Sequence, residues 1–164
     1  MQIIPTVAAK IIEDSKGNLH DINHLMKVFG YARLIGTGEE VPPETEIVLE
    51  AAALVHDIAC PLCRVKYGNT NGKYQELEGG PLARQLLAGT GLTDEQIERV
   101  AFLVAHHHSP QSVDGIDYQI LLEADYLVNA DEGGYSKENI QNTLSNIFRT
   151  ETGKKLLTSI YLRD

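Results

Sequence analysis

What this chain has little of narrows its function before any motif is read. It carries two cysteines in 164 residues, Cys60 and Cys63, both in a single C-x-x-C. A disulfide-built secreted scaffold is thereby excluded, and a four-cysteine zinc site lacks its second half. A thioredoxin-like motif needs a strand before the pair, whereas a helical pattern precedes it here. The pair therefore reads as two reduced thiols in a turn, with a redox-sensitive loop as the alternative. Positive charge is also scarce: 14 Lys and Arg stand against 23 Asp and Glu, a formal net charge of -9. Without a long basic run, binding to a nucleic-acid duplex is disfavoured, because that binding rests on clustered Lys and Arg. No apolar run approaches the roughly 20 residues a membrane helix needs. The opening MQIIPTVAAKIIED shows no basic region and no small-residue cleavage site. Neither a membrane partner nor a secretory signal is expected, and the expected location is cytoplasmic. Two-residue alternation, internal repeats and a domain linker are lacking as well, which leaves an all-α single domain spanning 1–164.

Hydrophobic residues make up 43% of the chain, enough for one sizeable core. Residues 1–17 are weakly patterned. A helix is predicted from Leu19 to Ile35 on the stripe Leu25, Val28, Phe29, Ala32 and Ile35, ending in Gly36-Thr37-Gly38. Pro42-Pro43 and the acids after them open a central helix. The stretch RVKYGNTNGKYQ reads as an exposed loop, and its residues from Arg64 to Tyr74 are expected to set specificity. Further helices are predicted from Leu77 to Ala88, from the capping box Thr93-Asp94-Glu95-Gln96 to about His107, and from Tyr118 to Ala130 with Asp117 as cap. C-terminal helices follow over 136–162, the first begun by Ser136.

The chain is arranged around LEAAALVHDIACP, Leu49 to Pro61. Almost every residue from Ile47 to Ala59 is apolar, and a helix without a polar face belongs at the centre of its domain. Yet it carries His56 and Asp57 near its end. A buried ionised carboxylate without a partner is costly, and a metal ion is the natural partner for an imidazole and a carboxylate together. The plainer alternative is a polar pair at a helix terminus. Similar polar residues recur on apolar faces: His24 beside Val28 and Ala32, Asp125 among Leu121, Leu122 and Val128, and His106, His107 and His108 closing the helix through Val100 and Val104. Two imidazoles and two carboxylates suit a divalent transition metal with open positions for water or substrate. Successive helical residues point about 100° apart, so His56 and Asp57 can share an ion only beyond the helix end.

These residues resemble the HD superfamily of metal-dependent phosphohydrolases. The likeness is carried by His24-x-x-Lys27-Val28 with Ala32, then LVHDIA, GGPLAR, VAHHH and LLEADYLV, from about Leu19 to Asn129. The resemblance implies a helical bundle of the HD-domain type with a buried metal site, its core over about 19–130. It implies His24, His56, Asp57 and Asp125 as ligands to one divalent transition metal ion, whether Mn, Fe, Co, Ni or Zn. Asp57, His106 and His107 are the implied catalytic groups, Asp57 taking the proton of the attacking water and the histidines serving the phosphoryl group or leaving oxygen. Members with two metals have a further histidine where this chain has Gln75, so a mononuclear site is expected. Lys27 stands where the family often has arginine. Arg64, Lys66, Lys27, Gln75 and Glu76 are the candidate substrate contacts, and His20 is read as peripheral. The implied reaction is hydrolysis of a phosphate ester of a nucleotide or another small phosphorylated metabolite, and a homodimer is allowed. The alternatives are a nucleotide-sensing metal-bound module without turnover and a di-iron oxygenase of the same fold.

Overall fold

The central helix is buried because it has no polar face to turn outward. α3 (Pro43–Val55) holds an unbroken buried run from Val48 to Val55. Its Ala51, Ala52 and Ala53 are small enough for neighbours to approach from several sides. A computed structural model describes residues 2–164, and all regular structure among them is helical. α1 (Ile3–Asp14), α2 (Leu19–Gly38), α6 (Asp94–His106) and α7 (Ile116–Glu132) pack against α3. Glu50, the one acid in the buried run, is paired at 3.2 Å with Nη1 of Arg33.

Several boundaries differ from the sequence reading, each for a local reason. The first seventeen residues are not irregular: α1 buries Val7 and Ile11 against the core. α2 runs through Gly36-Thr37-Gly38 instead of stopping there, and Gly36 lets Leu49 of α3 pack closely, 3.3 Å from where a Cβ would stand. The C-x-x-C does not lie in a turn. It opens α4 (Cys60–Tyr67), with Pro61 in the first turn, where no helical N–H is required of it. Both thiols are buried and free. α4 closes on Gly68, whose φ of 72° is a left-handed cap. α5 (Gly72–Leu87) then begins at Asn71, whose side chain accepts from the Lys73 N–H. The expected long loop therefore shrinks to Gly68–Asn71, and the Tyr67 and Tyr74 rings stack 3.8 Å apart across it.

The two glycines of GGPLAR set the approach of α5 to α6. A Cβ on Gly79 would lie 2.7 Å from Cγ1 of Val104, too close for a buried, stiff side chain to yield. α6 starts on the expected capping box, with Thr93 and Gln96 each satisfying the other's backbone N–H. Asp117 is not the cap of α7. Gly115 is, and Asp117 sits in the first turn, where Arg99 donates to both its oxygens at 2.8 and 2.7 Å. Arg99 also grips Asp114, which pins the α6–α7 connection and so the histidines at its start. α8 (Lys137–Asn146) and α9 (Glu151–Tyr161) close the fold. Their anchor is Glu123 on α7, fully buried, which accepts from Gln119 Nε2, Thr150 Oγ1 and the N–H groups of Arg149 and Thr150.

Candidate metal centre

α3 ends at Val55, so His56 caps it and Asp57 already lies in the following turn. That break lets two adjacent side chains face one point, which a continuing helix forbids. His24 reaches the same point from the buried face of α2, Asp125 from α7, and His107 from the C-cap of α6. Nε2 of His24 and Nε2 of His56 are 3.2 Å apart. Oδ1 of Asp125 lies 3.2 Å from each of them. Oδ2 of Asp57 is 3.1 Å from the first and 3.5 Å from the second. Its other oxygen is 3.4 Å from Nε2 of His107.

Each ring is held by its other nitrogen. Nδ1 of His24 donates to Oε2 of Glu132 at 2.9 Å, that of His56 to the Ala53 carbonyl at 2.8 Å, and that of His107 to the Val104 carbonyl at 2.8 Å. These partners place the proton of a neutral ring on Nδ1 and leave Nε2 as a lone pair aimed inward. Asp125 Oδ1, His107 Nε2 and Gln75 Oε1 are buried without a hydrogen-bond partner among the described residues. Native structures seldom leave such atoms orphaned. Lone pairs of nitrogen and carboxylate oxygen that face one another fit a cation, so the residues present suit a divalent metal.

Protons can also supply that positive charge. Burial works against an imidazolium at His24, but the Asp125 and Asp57 carboxylates outweigh it and raise the ring to about 11. Asp125 and Asp57 are held below the usual carboxylate range, the neighbouring imidazoles overcoming the cost of burial. Metal and protons therefore compete for one pocket. The predicted result is affinity for Mn2+ that is weaker at about pH 6 than at about pH 8, with protons released on binding; isothermal titration in buffers of different ionisation enthalpy reads both. The linkage for His24 has the opposite sign. Its raised pKa stabilises the ion-free fold fully below the unfolded value, and that contribution is lost as pH climbs through about 11.

The remaining candidate residues divide. His107 enters the centre, but His106 does not: its ring stacks on Phe102 at 4.2 Å and Nδ1 donates to the Phe102 carbonyl. The second histidine facing the centre is His108, which forms a donor group with Asp57 and His107. Arg64 lines the pocket above the centre, locked to both oxygens of Asp21 at 2.7 Å. Gln75 lines it too, its amide donating to the Thr70 carbonyl while Oε1 stays free. Three expected substrate contacts are corrected. Lys66 turns to Glu78 at 2.6 Å, Glu76 accepts from Ser109 Oγ at 2.8 Å, and Lys27 is exposed on the outside of α2. His20 stands at the pocket mouth, largely exposed. Cys60 forms part of the wall; burial pushes its thiol up, and Asp57 adds to this, which disfavours the thiolate.

Glu132 was legible and missed. It follows Asp125 by seven residues, two helical turns, and so shares its face. Glu132→Ala is predicted to weaken metal binding about 10–100-fold, as loss of an outer carboxylate on a ligating histidine does. A competition titration with a fluorescent chelator measures this.

A model of the HD domain family matches residues 21–131. Among solved structures, a predicted HD superfamily hydrolase from an uncultured Thermotogales bacterium is similar, with a TM-score of 0.70 and 24% identity. The likeness covers 95% of this chain and 83% of that one, and at that identity it speaks for the fold. No curated protein matches.

Proposed function

Since this chain belongs to the HD domain family, we propose that it is a metal-dependent phosphohydrolase that cleaves a phosphate ester of a nucleotide or another small phosphorylated metabolite. The observation that carries this reading is the convergence of His24, His56, Asp57 and Asp125, with each histidine fixed from behind. A bound divalent ion there supplies Lewis-acid charge and acidifies water.

The chain's own groups supply the rest. Asp57 faces the metal ligands with one oxygen and His107 with the other, which places it to accept a proton from an attacking water. His107 and His108 border the same space and offer donors to phosphoryl oxygens or to the leaving group. Arg64 keeps its charge against Asp21 and presents a guanidinium at the pocket wall for phosphate. Gln75 Oε1 accepts a hydrogen bond from water or substrate. Among the described residues no helix is long and apolar enough to cross a membrane.

The test is a panel of phosphate monoesters with added Mn2+, run on the wild type and on Asp57→Ala. Release of phosphate by the wild type and its loss in the variant is expected; equal turnover by both removes the role of Asp57. The group Asp57, His107 and His108 favours a second reading, in which another ion binds beside the first. Gln75 offers this ion an amide in place of a better ligand. Elemental analysis near one metal per chain supports the mononuclear reading, and two irons per chain would favour an oxygenase.

A further inference from the structure

A second cleft opens against the metal centre, on the side of α7 and α8. It has a volume of about 240 Å³, and Leu122, Tyr126, Ile147 and Pro110 give it apolar walls. His108, Asp125 and Asn129 line both this cleft and the pocket of about 190 Å³ over the metal ligands, so the two spaces adjoin at these three side chains. We infer that this cleft receives the organic group of the substrate, and that the group is a flat, weakly polar ring carried on a phosphomonoester. The inference rests on the phosphohydrolase reading and narrows its substrate class.

Charge comes first. No lysine or arginine lines the cleft, and its one carboxylate is that of Asp125. A second phosphate would find no cation there and would meet a carboxylate, so a polyphosphate is disfavoured. Polarity comes next. His107 and His108 border the cleft only on its side towards the metal ligands, where the phosphate sits; away from it the Asn129 amide and the Thr143 hydroxyl are the neutral polar groups, while the Tyr126 hydroxyl is already spent on Asn139. A sugar with several hydroxyls would lose more water contacts than these two groups replace. Size points the same way. An apolar cavity of about 150 Å³ already holds benzene, and sites for drug-sized ligands begin near roughly 300 Å³. The space suits one or two fused rings.

The wall is also prepared in advance. Tyr126 meets Phe148 edge-on at 5.8 Å and Tyr135 at 5.6 Å, so its ring is held before any ligand arrives. Thr143 and Ile147 lie beyond residues 21–131 that match the family. This face of the site is therefore built by the part of the chain outside that match.

The experiment is calorimetric titration of the Mn2+-loaded protein with phenylphosphonate and methylphosphonate, which share the head group and differ in the ring. Phenylphosphonate is expected to bind at least tenfold more tightly. Ile147→Asp, and independently Thr143→Phe, which fills the cleft, should bring the two affinities together and leave methylphosphonate as it was. Equal affinities in the wild type, or a ring preference that survives in both variants, overturns the inference. A nucleoside 5′-phosphonate separates the sources of the ring: tighter binding than phenylphosphonate identifies a nucleobase, weaker binding a smaller aromatic alcohol, and both support the cleft. Hydrolysis of phenyl phosphate and methyl phosphate is followed in parallel. A ring preference in binding without turnover removes the phosphohydrolase reading and keeps the cleft, whereas turnover of both esters without preference keeps the reading and removes the cleft.

Discussion

Asp125→Ala is expected to empty the metal centre and abolish turnover in one step. Oδ1 of Asp125 is the atom that lies 3.2 Å from Nε2 of both His24 and His56, and it has no other partner. Without it the ion keeps two imidazoles and one oxygen of Asp57, which is partly exposed to competing water. Metal content should fall to roughly a tenth of the wild-type value or less, and phosphate release by about a thousandfold, or about 4 kcal/mol of barrier. The fold should survive, since the substitution also removes a buried carboxylate crowded against that of Asp57. Circular dichroism checks folding, elemental analysis the ion, and a phosphate-release assay the activity. Asp125→Asn keeps the shape and removes the charge, so it separates loss of the ligand from loss of volume. A variant that retains a full equivalent of metal would remove Asp125 from the ligand set.

The second large effect lies away from the chemistry. Glu123→Ala should destabilise the protein by about 4 kcal/mol, because four donors lose their acceptor inside the core and a cavity opens. Those donors join α7 to the start of α9: Thr150 through both its N–H and hydroxyl, Arg149 through its N–H, and Gln119 through its amide. Gly153 is part of the same arrangement, since a Cβ there would collide with Oε1 of Glu123. For a domain of this size the loss corresponds to a melting temperature lower by roughly 10 °C. Thermal and urea denaturation read it. A change below about 1 kcal/mol would mean that water replaces the carboxyl without penalty. Gln119 also donates to the Ile147 carbonyl, so the same substitution loosens the far wall of the apolar cleft.

The residues legible in the sequence were those whose chemistry clashes with their pattern. His24, His56 and Asp125 stand on apolar faces, and the structure brings all three together with Asp57. The helix at 43–55 was legible because an all-apolar run has one place to go. Residues read from charge alone fared worse. Lys66 and Lys27 are cations near the motif in sequence, but a surface lysine takes whatever carboxylate or solvent lies beside it, as Lys66 does with Glu78. The segment from Arg64 to Gln75 looked like a loop because Gly, Asn and charge dominate it. Two caps, Gly68 and Asn71, instead end one helix and begin the next.

By itself the sequence determined the class of fold and pointed to the candidate donors, since burial of an amphipathic pattern and the affinity of imidazole and carboxylate for a cation are properties of residue types. Tertiary structure alone decided which of three consecutive histidines turns away from the centre. Neighbours in a helix point about 100° apart, and the place where α6 ends sends His106 onto Phe102 and His107 to the centre. It also decided how the rings are held and where the substrate's organic group fits. The Glu132 carboxylate and the α8 wall come to the site from positions more than a hundred residues from His24, and no local pattern encodes a meeting at that distance.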